Sequence, residues 1–84
     1  VSDSSEVEKS LRIVNDLLYQ VNGILPNDID PNYSLIKDLG MDSVEIIDFL
    51  VRLEEYGVVI NDSKISDRLT VGYIARLVNR RRSS

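Results

Sequence analysis

Apolar residues recur along the first quarter of the chain at helical spacing. Val7, Leu11, Val14, Leu18 and Val21 fall on one stripe, and Ile13 and Leu17 widen it. The pattern predicts a helix from about Glu6 to Val21. Ser5 and Glu8 have the S-x-x-E spacing of a capping box at its start, and Asn22-Gly23 ends it. From Ile24 to Asp42 the periodicity is lost, and Pro26 and Pro31 forbid one continuous helix. Yet Ile24, Leu25, Ile29, Tyr33, Leu35, Ile36 and Leu39 are too many apolar residues for a free linker. This long loop is expected to be pinned across the molecule, with a helical turn near Ser34–Asp38.

Helical spacing resumes from Ser43 to Tyr56, with Asp42 placed to cap and Glu45 to complete a D-x-x-E box. Gly57 ends this helix, and Val58-Val59-Ile60 reads as an extended apolar plug, with no partner strand in sight. A short third helix is expected from Asn61 or Asp62 through Asp67. Thr70 then caps a last helix, Val71 to about Arg80, which turns Val71, Ile74, Leu77 and Val78 inward. The expectation is an all-α bundle of four helices.

The second helix is apolar on two sides. Ile46, Phe49, Leu50 and Leu53 form an ordinary core face, while Val44, Ile47 and Val51 lie nearly opposite. Asp48 and Glu55 sit among the second group, and Glu45 and Glu54 flank it. A small bundle does not readily bury both sides of one helix. Two readings stand: the second strip lies under the long loop, or it is exposed as a docking strip ringed by carboxylates that steer basic partners.

Composition narrows the chemistry. Eighty-four residues make one domain, expected to be ordered over about residues 6–80. Such a chain buries about 60–65% of its unfolded surface. It has no cysteine and no histidine, which removes thiol nucleophiles, serine–histidine pairs and His/Cys metal sites. Short helices of this kind do not enclose a substrate cleft, so an enzyme is not expected. No signal peptide or membrane-length apolar run is visible, and a cytoplasmic monomer is the default reading. The net charge of −4 is uneven: residues 1–62 total −9 and residues 63–84 total +5. The acidic body argues against nucleic acid, and Arg80-Arg81-Arg82 reads as a solvated offset to the helix's negative pole. Asp28-x-Asp30-x-Asn32 opens like a calcium loop but has Tyr33 and Leu39 where glycine and glutamate belong.

One side chain organises what remains. Asp38-Leu39-Gly40-Met41-Asp42-Ser43 puts a hydroxyl at the mouth of the two-faced helix, in the positive field of its first turn. Around it run a capped first helix, a long pinned loop, the acidic second helix with Leu53-Glu54-Glu55, an apolar plug, a short polar helix and a threonine-capped last helix. This order, from about Glu6 to Val78, resembles the acyl carrier protein family, whose D-S-L motif is matched by Asp42-Ser43-Val44. The resemblance implies a four-helix carrier fold with no catalytic activity of its own. It implies 4′-phosphopantetheine on Ser43, transferred from coenzyme A by a phosphopantetheinyl transferase, with Asp42 supporting that transfer near the transferase's metal. The arm's own thiol, and none of the protein's, would then hold acyl groups as thioesters. Val44, Glu45, Ile47, Asp48, Val51, Glu54 and Glu55 match the family's docking helix for loading and processing enzymes such as ligases, acyltransferases and ketosynthases.

The departures from the family pattern are specific. Valine follows the serine, the segment after Leu53 is one residue short, and Arg52 adds a cation to a usually acidic helix. They point to a specialised polyketide or fatty-acid-like pathway. Two alternatives stay open: an aminoacyl, aryl or peptidyl carrier of nonribosomal synthesis, and a non-covalent helical adaptor that uses the Val44/Ile47/Val51 strip.

Overall fold

The computed structural model describes residues 2–83, with side chains from Glu6 to Arg82. Three α-helices carry the fold: α1 (Ser2–Asn22), α2 (Ser43–Glu54) and α3 (Val71–Ser83). Single 3-10 turns stand at Pro26–Asp28 and Asp62–Lys64. The described residues contain no strand, only one isolated bridge between Ser34 and Thr70. The expected third helix is therefore corrected to one 3-10 turn, and the four-helix count to three among the described residues. The segment is rich in Asn, Asp and Ser, which bond locally to backbone and compete with helix continuation.

Helix α1 packs along α3 and against α2. Val14, Leu17 and Leu18 are buried, while Leu11, Ile13 and Val21 pack at the margin of the core. The helix starts at Ser2, so Ser5 lies inside it and the expected cap at Ser5 is not at the helix mouth. Its other end is as read: Gly23 takes φ 85° and its N–H donates to the Tyr19 carbonyl at 2.8 Å. The stripe contains one polar intruder, Ser10, which is fully buried. Its hydroxyl donates to the Glu6 carbonyl and accepts from Arg82 Nη1 at 3.3 Å. Arg82 also pairs with Glu6 at 3.7 Å, so one arginine of the expected solvated tail ties α3 back to α1.

Ile29, Leu35 and Met41 pin the long loop into the core, whereas Leu25, Tyr33 and Ile36 remain exposed. The loop is also zipped to the entry of α3. Leu35 N–H donates to the Leu69 carbonyl, Val71 N–H to that of Tyr33, and Gly72 N–H to that of Pro31, at 2.7–3.0 Å. The turn expected near Ser34–Asp38 is present, because Asp38 and Leu39 both donate to the Ser34 carbonyl. Asp38 returns the favour by accepting from Ser34 N–H at 2.7 Å. Thr70 caps α3 through its hydroxyl, which accepts from Tyr73 N–H.

Helix α2 ends two residues before the expected Tyr56. Glu55, Tyr56 and Gly57 donate to Arg52, Leu53 and Glu54, a tightening into i→i−3 bonds, and Gly57 closes the turn at φ 81°. Of the expected plug only Val58 is buried; Val59 is 77% exposed.

Candidate functional site

The mouth of α2 is built by its own neighbours. Asp42 is extended (φ −85°, ψ 177°), and its Oδ1 accepts from Glu45 N–H at 2.8 Å. Glu45 Oε1 accepts from Asp42 N–H at 3.3 Å, completing the capping box. Glu45 is held a second time, by Asn22 Nδ2 at 2.9 Å, which fastens the mouth of α2 to the end of α1. Upstream, Gly40 turns at φ 64° and Met41 N–H donates to the Leu35 carbonyl.

These bonds leave Ser43 with nothing to do structurally. It is the first residue of α2, it is exposed, and its hydroxyl bonds to no described residue. The capping role that would explain a serine here is performed by Asp42 instead. The N–H groups of Ser43 and Val44 likewise have no partner among the described residues. Two open donors and the positive end of a twelve-residue helix therefore face the same solvent as the hydroxyl. That arrangement fits a phosphodiester on Ser43: the oxygen is accessible, and the charge it would bring is stabilised by about 0.3–1 kcal/mol.

Ser43 also stands on the rim of an open groove of about 430 Å³. Ile36, Met41, Ile46, Ile47 and Ile65 line it, with Asp62 at the edge. Its lining comes from the long loop, from α2 and from the segment around the second 3-10 turn. The exposed Ile36 and the half-buried Ile65 both belong to this groove.

The two faces of α2 separate cleanly. Ile46, Phe49 and Leu53 are buried. Val44, Ile47 and Val51 are 73%, 62% and 52% exposed, so the loop does not cover them. Glu54 and Glu55 are exposed, and their carboxylates make no hydrogen bond or ion pair among the described residues. Asp48 differs, because Arg52 Nε lies 3.1 Å from its Oδ1. No described helix is long and apolar enough to cross a membrane.

Composition and spacing could not reveal the groove, which joins three separated segments. Nor did they show that Glu45 is doubly bound or that Gln20 of α1 reaches Arg52 (2.8 Å).

Comparison with known proteins agrees with this geometry. The profile of the family described as "Phosphopantetheine attachment site" matches residues 12–78. The chain is similar to the meromycolate extension acyl carrier protein of Mycobacterium leprae, 30% identical over 74 residues. That match covers 87% of this chain but 64% of the mycobacterial protein, so the chain spans less than two thirds of that relative's length. It is also similar to the acyl carrier proteins of Acidothermus cellulolyticus and Rhodococcus erythropolis, at 33% and 27% identity. Those matches cover 77% and 87% of this chain, and 79% and 81% of the relatives.

Proposed function

Because this chain belongs to the acyl carrier protein family, we propose that Ser43 bears 4′-phosphopantetheine and that the protein presents acyl groups to partner enzymes without catalysing their chemistry. The observation that carries the proposal is the idle hydroxyl: Asp42 caps the helix, so Ser43 is exposed, unbonded and available. Ser43 Oγ supplies one ester oxygen of the phosphodiester, and coenzyme A supplies the remainder. The bound arm contributes a terminal thiol on which an acyl group rides as a thioester. The groove beside Ser43 offers apolar cover to the part of arm or cargo that folds back, within the size range of small-molecule sites.

Residues 6–80 act as one carrier domain, which works as a monomer in the cytoplasm. Asp42 supports the transferase complex with the carboxylate oxygen that the cap does not use. Partners dock on Val44, Ile47 and Val51, with Glu45, Asp48, Glu54 and Glu55 around them. Burying three such side chains contributes on the order of 4–6 kcal/mol, much of which association entropy offsets. Docking is therefore weak and brief, as suits a carrier that visits several enzymes. Acyl cargo of a fatty-acid-like or polyketide pathway is favoured over aminoacyl cargo, since the named relatives are acyl carriers.

Intact-mass measurement tests the assignment directly. With coenzyme A and a broad-specificity phosphopantetheinyl transferase, the wild type gains one arm. Ser43→Ala gains none and keeps its helical circular dichroism. Labelling of the alanine variant, or a wild type that stays bare, rules the assignment out; a bare wild type that still binds partners makes it an adaptor.

A further inference from the structure

We infer that Arg52 sets partner specificity by silencing Asp48 in the middle of the docking strip, an inference that rests on the carrier reading of α2. Arg52 Nε holds Asp48 Oδ1 at 3.1 Å, and its Nη1 donates to Gln20 Oε1 at 2.8 Å. Gln20 is held in turn, because its Nε2 donates to Asp16 Oδ2 at 2.9 Å. The guanidinium is thus gripped from α2 on one side and α1 on the other. An exposed ion pair of this kind contributes little to stability, and side chains 36% and 48% exposed gain little from burial. Its consequence is positional: a cation is fixed where the strip would otherwise present a carboxylate.

The charges along α2 are then unequal. Glu45 is occupied by the Asp42 amide and Asn22, and Asp48 by Arg52. Glu54 and Glu55 at the far end, and the second oxygen of Asp42 at the mouth, have no partner among the described residues. Ser43 and Glu54 are separated by about 17 Å along the helix. The partner that fits is an enzyme face with cations at both ends of such a span and an uncharged or acidic group between them. A face that is basic along its whole length meets Arg52 and is disfavoured by like charge.

A double-mutant cycle on the intact chain tests this, read as kcat/KM for arm transfer by a broad-specificity transferase at low and moderate salt. In the wild type, Asp48→Asn leaves the Arg52 cation unopposed and lowers kcat/KM about three-fold at low salt. Arg52→Gln raises it about three-fold at low salt, and Asp48→Asn in that background lowers it about three-fold, both effects fading as salt screens them. Glu54→Gln lowers it in both backgrounds. Arg52→Gln that leaves kcat/KM unchanged or lowers it, or rates insensitive to salt and to all three positions, overturns the inference while labelling itself upholds the carrier. Absence of labelling in every variant overturns both.

Discussion

Asp42 and Ser43 are neighbours with opposite duties, and truncating each separates them. Asp42→Ala removes the acceptor for Glu45 N–H at 2.8 Å, which costs about 0.5–2 kcal/mol by comparison with other helix caps. It also removes a negative charge from the positive end of α2, worth a further 0.3–1 kcal/mol or so. The sum is about 1–3 kcal/mol, against a total stability on the order of 4–12 kcal/mol for a chain of this length. A domain of this size shifts by roughly 4–8 °C per kcal/mol, so Tm falls by about 5–20 °C. Asp42→Asn keeps an acceptor in place and loses only the charge, so its Tm falls by a few degrees. Ser43→Ala loses no bond at all, and alanine suits a helix better than serine, so its Tm stays within about 2 °C of the wild type. Thermal denaturation followed at 222 nm ranks the three. If Ser43→Ala is destabilised as much as Asp42→Ala, serine shares the capping and the idle-hydroxyl argument fails. If Asp42→Ala melts with the wild type, the capping box contributes nothing to the helix mouth.

Two further substitutions probe the frame. Gly57→Ala forces a Cβ into a left-handed backbone and against the Arg81 side chain, so chemical denaturation should show a loss of about 1–2 kcal/mol. Phe49→Ala empties the largest fully buried side chain and should cost about 3–5 kcal/mol, leaving a large unfolded fraction at 37 °C by circular dichroism.

What sequence could supply divides by range. The Asp42/Glu45 box, the left-handed Gly23 and Gly57, and the Thr70 cap depend on residues three or four apart, and all were legible. The two faces of α2 were legible as a wheel, but only the folded loop decides that Val44, Ile47 and Val51 are left open. Where local signals compete, spacing alone misleads. Ser5 and Glu8 have a cap's spacing, yet α1 continues upstream to Ser2. Asp62–Lys64 makes one turn where a helix was expected, and α2 stops at Glu54 because its last bonds tighten before Gly57. Contacts between distant segments left no trace in spacing: buried Ser10 receiving Arg82, Asn22 holding Glu45, and the groove beside Ser43.

These distant contacts explain how the mouth of α2 is held in place for the arm proposed on it. Asn22 binds the mouth to α1, the Leu35–Met41 bond binds it to the loop, and Leu35 and Val71 bind the loop to α3. The backbone at Ser43 is therefore fixed from three directions, although its hydroxyl bonds to no described residue. A tether anchored on a mobile loop would add the loop's freedom to its own and lower the effective concentration of its cargo at a docked enzyme. On the proposed carrier reading, an arm anchored on this capped helix end would contribute the motion itself, and a docking strip beginning one residue later would hold a constant relation to the attachment point. With Ser43 and Val44 adjacent on one capped helix, recognition of the proposed strip would deliver the arm in a defined direction.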